Sequence, residues 1–63
     1  NRYLSASQME TIDIEYRSVF IWFDEFERHP TVRYLERYFE ACCRLRDTVR
    51  VQYQLAKEGV RCG

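Results

Sequence analysis

Glycine, proline, lysine, histidine and methionine are almost missing from this chain: two glycines and one each of the others among 63 residues. Scarce glycine and proline leave little turn chemistry, so the chain is built from a few long elements, and dense Arg and Glu make those elements helices. Net charge is missing too. Ten acidic residues balance ten basic ones, and neutrality argues against general attraction to nucleic acid or an anionic membrane. No apolar run approaches the ~20 residues of a membrane span. Zinc spacing is absent: of three cysteines, Cys42 and Cys43 are adjacent, and neighbours on a helix diverge by about 100°. An odd cysteine count without a disulfide framework reads as reduced thiols in an intracellular compartment, cytoplasmic or nuclear.

What the chain does have is a large apolar load. Hydrophobic residues make up 46%, including five Tyr, four Phe and one Trp. Sixty-three residues form one domain at most, and a chain this short buries only about 60% of its unfolded surface. Such a body needs help from a disulfide, a metal or a second subunit. Nine of the ten bases are Arg, a residue that stacks on aromatics and forks onto carboxylates, as interfaces require. The chain begins at Asn1 without an initiator Met, which reads as a piece of a longer protein.

Two helices are expected, over about 5–28 and about 31–58. Ser5 with Gln8 three residues on has capping-box spacing, with Leu4 and Met9 at the staple positions; Ser7 with Glu10 offers a second start. Met9, Ile12, Tyr16, Val19, Phe23 and Phe26 then alternate in steps of three and four, as a heptad seam does. Phe20 and Trp22 widen the stripe. His29-Pro30-Thr31 breaks the pattern, because Pro disfavours helix in the residue before it and suits the first turn of the next. The second stripe is Leu35, Tyr38, Cys42, Leu45, Val49, Tyr53 and Ala56. Gly59 is a candidate stop, with Val60 packing back on Leu55, and 61–63 are expected to fray.

So short a connection makes the helices antiparallel neighbours. The fold class is all-α, an antiparallel two-helix hairpin. In this register Phe26 meets Leu35, Phe23 meets Tyr38, Val19 meets Cys42, Tyr16 meets Leu45 and Ile12 meets Val49. Positions 5–28 carry six acids and two bases, positions 31–61 seven bases and four acids, so the helices attract. Arg46, inside the second apolar arc, is expected to pair with Asp13.

Two helices touch along one line and cannot enclose stripes this wide. The expected intrachain core is Met9, Ile12, Tyr16, Val19, Phe23, Phe26, Leu35, Tyr38, Leu45 and Val49. Ile14, Ile21, Trp22, Val51 and Leu55 fall outside it and are the expected outer contact. Leaving several such residues wet forfeits several kcal/mol at about 25 cal/mol per Å², comparable to the stability of a small domain. Two hairpins packed as a four-helix bundle, or one hairpin docked on helices elsewhere in its parent or of a partner protein, would cover them, and so would a third helix lost by truncation.

Catalytic chemistry finds little footing. His29 stands at the turn without a nucleophile and carboxylate in a constellation, whereas a phosphorelay hairpin needs its His in mid-helix. Cys42 lies on the apolar stripe as a small hydrophobe. Cys43 has Arg46 and Arg50 nearby, which would favour its thiolate. Arg33, Arg37 and Arg44 form one basic row, and Arg46, Arg50, Lys57 and Arg61 another. With aromatics near, they raise RNA binding as an alternative, but Glu36, Glu40 and Asp47 interleave as on a salt-bridged solvated face. A helix-turn-helix is a poorer reading still, since both helices are too long and a third is missing. The expectation is a non-enzymatic oligomerisation or protein-interaction module without cofactor, metal or small-molecule substrate. The alternative is a small RNA-binding or adaptor module using the Arg rows.

Overall fold

The computed structural model describes the backbone of residues 4–62 and the side chains of residues 4–58. Two helices pack against each other as a hairpin: α1, Ala6–Arg28, and α2, Val32–Cys62. The lead-in 1–3, the side chains of Val60, Arg61 and Cys62, and Gly63 lie outside the described residues.

Local chemistry sets the ends. Ser5 is extended at φ −71°, ψ 162° and caps α1. Its Oγ accepts from the Gln8 N–H at 3.2 Å, and the Gln8 Oε1 accepts from the Ser5 N–H at 3.0 Å. Two of the four N–H groups left without partners at a helix start are often met this way. At the far end His29 leaves the helical region, at φ −131°, ψ 78°, as a residue before proline must. Its N–H still donates to the Glu25 carbonyl at 2.9 Å, and its ring stacks on Tyr34, centroids 4.9 Å apart. The chain restarts at once. Thr31 Oγ1 accepts from the Tyr34 N–H at 3.3 Å, and Leu35 N–H donates to the Thr31 carbonyl at 2.9 Å.

The far end of α2 departs from expectation. The helix passes through Gly59 and continues to Cys62, and no described glycine has positive φ. Glycine permits the left-handed stop without imposing it, and keeping it helical costs only about 1 kcal/mol relative to Ala.

The hairpin measures 48 × 17 × 12 Å, one layer of helices thick. Its register is visible near the turn, where the Phe23 and Tyr38 rings lie 5.3 Å apart and those of Phe26 and Tyr38 6.3 Å apart. A single layer has almost no interior. Ala41, 4% exposed, is the one buried hydrophobic residue among those described.

Candidate interaction surface

The line of closest approach sits one step round from the heptad reading. Residues half-buried toward the partner helix are Gln8, Ile12, Glu15, Val19, Trp22 and Phe26 on α1; on α2 they are Tyr34, Tyr38, Leu45, Thr48, Gln52 and Ala56, around the buried Ala41. Of the expected intrachain core, Ile12, Val19, Phe26, Tyr38 and Leu45 stand on this line. Met9, Tyr16, Phe23, Leu35 and Val49 stand beside it, exposed. Every second member of each stripe has moved by one residue: 9, 16 and 23 give way to 8, 15 and 22, and 35 and 49 to 34 and 48. Small side chains at Ala41 and Thr48 thereby fall where the helices meet, on the same line as Trp22, Phe26, Tyr34 and Tyr38, and let the backbones come close there. The signal was a second 3–4 spacing, 34, 38, 41, 45, 48, 52, which shares Tyr38 and Leu45 with the apolar stripe and was hidden because Ala41, Thr48 and Gln52 are small or polar.

The displaced residues share one flank. At about 100° per residue, positions 9, 16, 20 and 23 lie roughly a quarter-turn to one side of the α1 contact line. Because α2 runs the other way, the quarter-turn from its own contact line that holds Leu35, Val49 and Tyr53 comes to the same side. The Phe23–Tyr38 contact bridges the two helices there. The flank is a continuous apolar strip of Met9, Tyr16, Phe20, Phe23, Leu35, Phe39, Val49 and Tyr53, all exposed, with Phe20 at 56% and Phe39 at 66%. Tyr16 and Phe20 meet edge to face at 4.9 Å. Cys42 sits half-buried on this side. Desolvation first, and then the neighbouring Cys42, push the Tyr38 phenol above its ordinary value.

The residues expected to make the outer contact have a different setting. Ile14, Ile21, Val51 and Leu55 are exposed, but on the opposite flank, where polar groups interrupt them. One open cleft there is lined by Ser18, Trp22, Arg37, Glu40, Ala41 and Arg44, and another by Trp22, Arg33, Tyr34 and Arg37. Trp22 itself is half-buried at the edge of the helix junction.

Charges follow the helices rather than joining them. Asp13 pairs with Arg17 at 2.9 Å and Asp24 with Arg28 at 3.2 Å, both within α1. Arg46 does not reach Asp13. Its only acidic neighbour within 4 Å among the described residues is Asp47, at 3.9 Å. Rotating the seam carries Arg46 outward, so it reaches water on the rim of the apolar flank. Such exposed pairs contribute at most about 1 kcal/mol each.

Among the described residues no three His, Cys, Asp or Glu side chains come together in a way that could hold a metal ion, and no helix is long and apolar enough to cross a membrane. No family model, curated protein or solved structure matches the chain.

Proposed function

We propose that this hairpin is a non-enzymatic oligomerisation and protein-interaction module that completes its core by packing against further helices, in its simplest form as a dimeric four-helix bundle. One observation carries the reading: eight large apolar side chains stand exposed on a single flank of a body one helix layer thick. Contiguous apolar patches of this extent usually mark contact sites. Covering them is worth several kcal/mol at about 25 cal/mol per Å², on the scale of the stability of a whole small domain. A second layer of helices is the form of cover that an amphipathic hairpin fits.

The test combines mass with labelling. Light scattering across micromolar concentrations is expected to give a dimer or larger species. Hydroxyl-radical footprinting should then find Met9, Tyr16, Phe20, Phe39 and Tyr53 protected relative to Ile21. A compact monomer of sequence mass, with these side chains labelled as freely as Ile21 at every concentration, would overturn the proposal.

A second reading has one specific observation in its favour. The cleft of Trp22, Arg33, Tyr34 and Arg37 sets two aromatics beside two guanidiniums, a combination suited to stacking and pairing with single-stranded RNA. Salt-dependent binding of a labelled oligonucleotide, lost in Arg33→Glu/Arg37→Glu, would favour it.

A further inference from the structure

Resting on the interaction-module reading, we infer that the occupant of the apolar flank is a second copy of this chain, held with both turns at the same end, so that α1 of each copy lies antiparallel to α2 of the other. Three features carry this: the size of the face, its charge and its two-fold self-complementarity.

The face runs along a hairpin 48 Å long and carries eight exposed large apolar side chains, a length that a second copy of the chain matches. The two helices that border it are opposite in sign. α1 carries six acids against two bases and α2 seven bases against four acids, while the whole chain is neutral. A second copy therefore meets no overall repulsion, yet the two ways of stacking the flanks differ sharply. With the turns at opposite ends, α1 lies on α1 and α2 on α2, like on like. With the turns together, the two-fold axis runs along the helices, and each acidic helix faces a basic one, twice per dimer. All neighbouring helices are then antiparallel, as in an up-down-up-down bundle.

Heights along the bundle agree. Phe23 meets Tyr38, so Asp13, ten residues back from Phe23, stands level with Thr48, ten residues on from Tyr38. Turns at one end keep equal heights opposite. Arg46 and Arg50 lie two residues either side of that height, about 3 Å along the axis, and the helical step turns both toward the outer rim of the flank. Asp13 is turned toward the facing rim of α1. Arg46, exposed and within 4 Å of no acid but Asp47, is thus set to meet the Asp13 carboxylate of the partner. The same symmetry returns the partner's Arg46 to Asp13. The rim contacts select the arrangement, and the apolar flank between them supplies most of the affinity.

Charge exchange tests this in the intact 63-residue chain. Asp13→Arg alone, and Arg46→Glu/Arg50→Glu alone, should each weaken the dimer about tenfold or more, measured by sedimentation equilibrium at low salt. An equimolar mixture should form a heterodimer close to wild type in affinity, because both rims are opposite again. Ile21→Asp, on the other flank, should leave the mass unchanged. A distance measurement adds a geometric check. Spin labels at Arg28→Cys, with Cys42, Cys43 and Cys62 replaced by Ser, should lie within about 30 Å, the width of a four-helix bundle. Opposite-end packing would put them near the 48 Å length of the hairpin. A wild-type dimer unaffected by either charge variant, or with labels at the long distance, would overturn this arrangement and leave the interaction-module reading intact. Dissociation in Ile21→Asp would place the interface on the other flank and would also overturn it. A wild-type chain that stays monomeric, with the flank freely labelled, would remove both.

Discussion

Ala41 and Thr48 lie along the line where the helices meet, while Phe20, Phe39 and Tyr53 stand on the flank beside it. In a larger protein the opposite division is usual, with rings inside and small polar residues outside. The difference comes from thickness. Two helices share a contact line and no enclosed volume, so close approach of the backbones favours small residues on that line. Rings on the flank stay wet until another layer arrives, at a cost of about 25 cal/mol per Å² of apolar surface. The line between the helices holds the hairpin, and the flank is the proposed contact face.

The sharpest way to break that comparison is to exchange the character of the two regions. Ala41→Phe should destabilise the hairpin by about 1–3 kcal/mol, since an inserted ring must push the helices apart. Phe39→Ala, in dilute solution where no assembly forms, should cost less than about 0.5 kcal/mol. Urea melts at low concentration give both values, and a larger loss at Phe39 than at Ala41 would mean that the contact line runs elsewhere. A smaller effect probes the polarity of that line. Gln52 faces it, and its Oε1 is buried without a hydrogen-bond partner among the described residues. An unmet acceptor costs about 1–3 kcal/mol, so Gln52→Leu should raise the urea midpoint, equivalent to a gain of about 1 kcal/mol. A lowered midpoint would show that Gln52 is hydrogen-bonded in solution.

The smallest effect concerns pH. Tyr38 has its folded pKa raised above the ordinary 10.0 by desolvation and then by Cys42. The folded state thus holds the phenol proton more tightly than the unfolded chain does. That contribution is present in full below pH 10 and is lost as pH climbs through the folded pKa. Thermal melts above pH 10 should therefore fall less steeply in Tyr38→Phe than in wild type, and identical slopes would remove the linkage.

Much of the hairpin was legible in the residues. The capping box of Ser5 and Gln8, the break at His29-Pro30 and the meeting of Phe23 with Tyr38 all follow from short-range chemistry, and the structure has each of them. Two features were not legible. Gly59 looked like a stop, but its backbone freedom is a permission and not an instruction, and the helix continues. The heptad stripe named the apolar side of each helix, yet a stripe of this width is compatible with several rotations. Met9, Tyr16 and Phe23 belong to it as fully as Ile12 and Val19 do, although the structure exposes the first three.

The two helices, the turn between them and their antiparallel order were thus determined by the sequence itself, because caps, proline sterics and periodicity act within a few residues. Only the tertiary structure decided how far each helix turns about its own axis. That choice depends on which side chains let two backbones approach, a property of both helices together. It moved Trp22 to the edge of the junction, carried Arg46 away from Asp13, and gathered Tyr16, Phe20, Phe23, Phe39 and Tyr53 on one open flank.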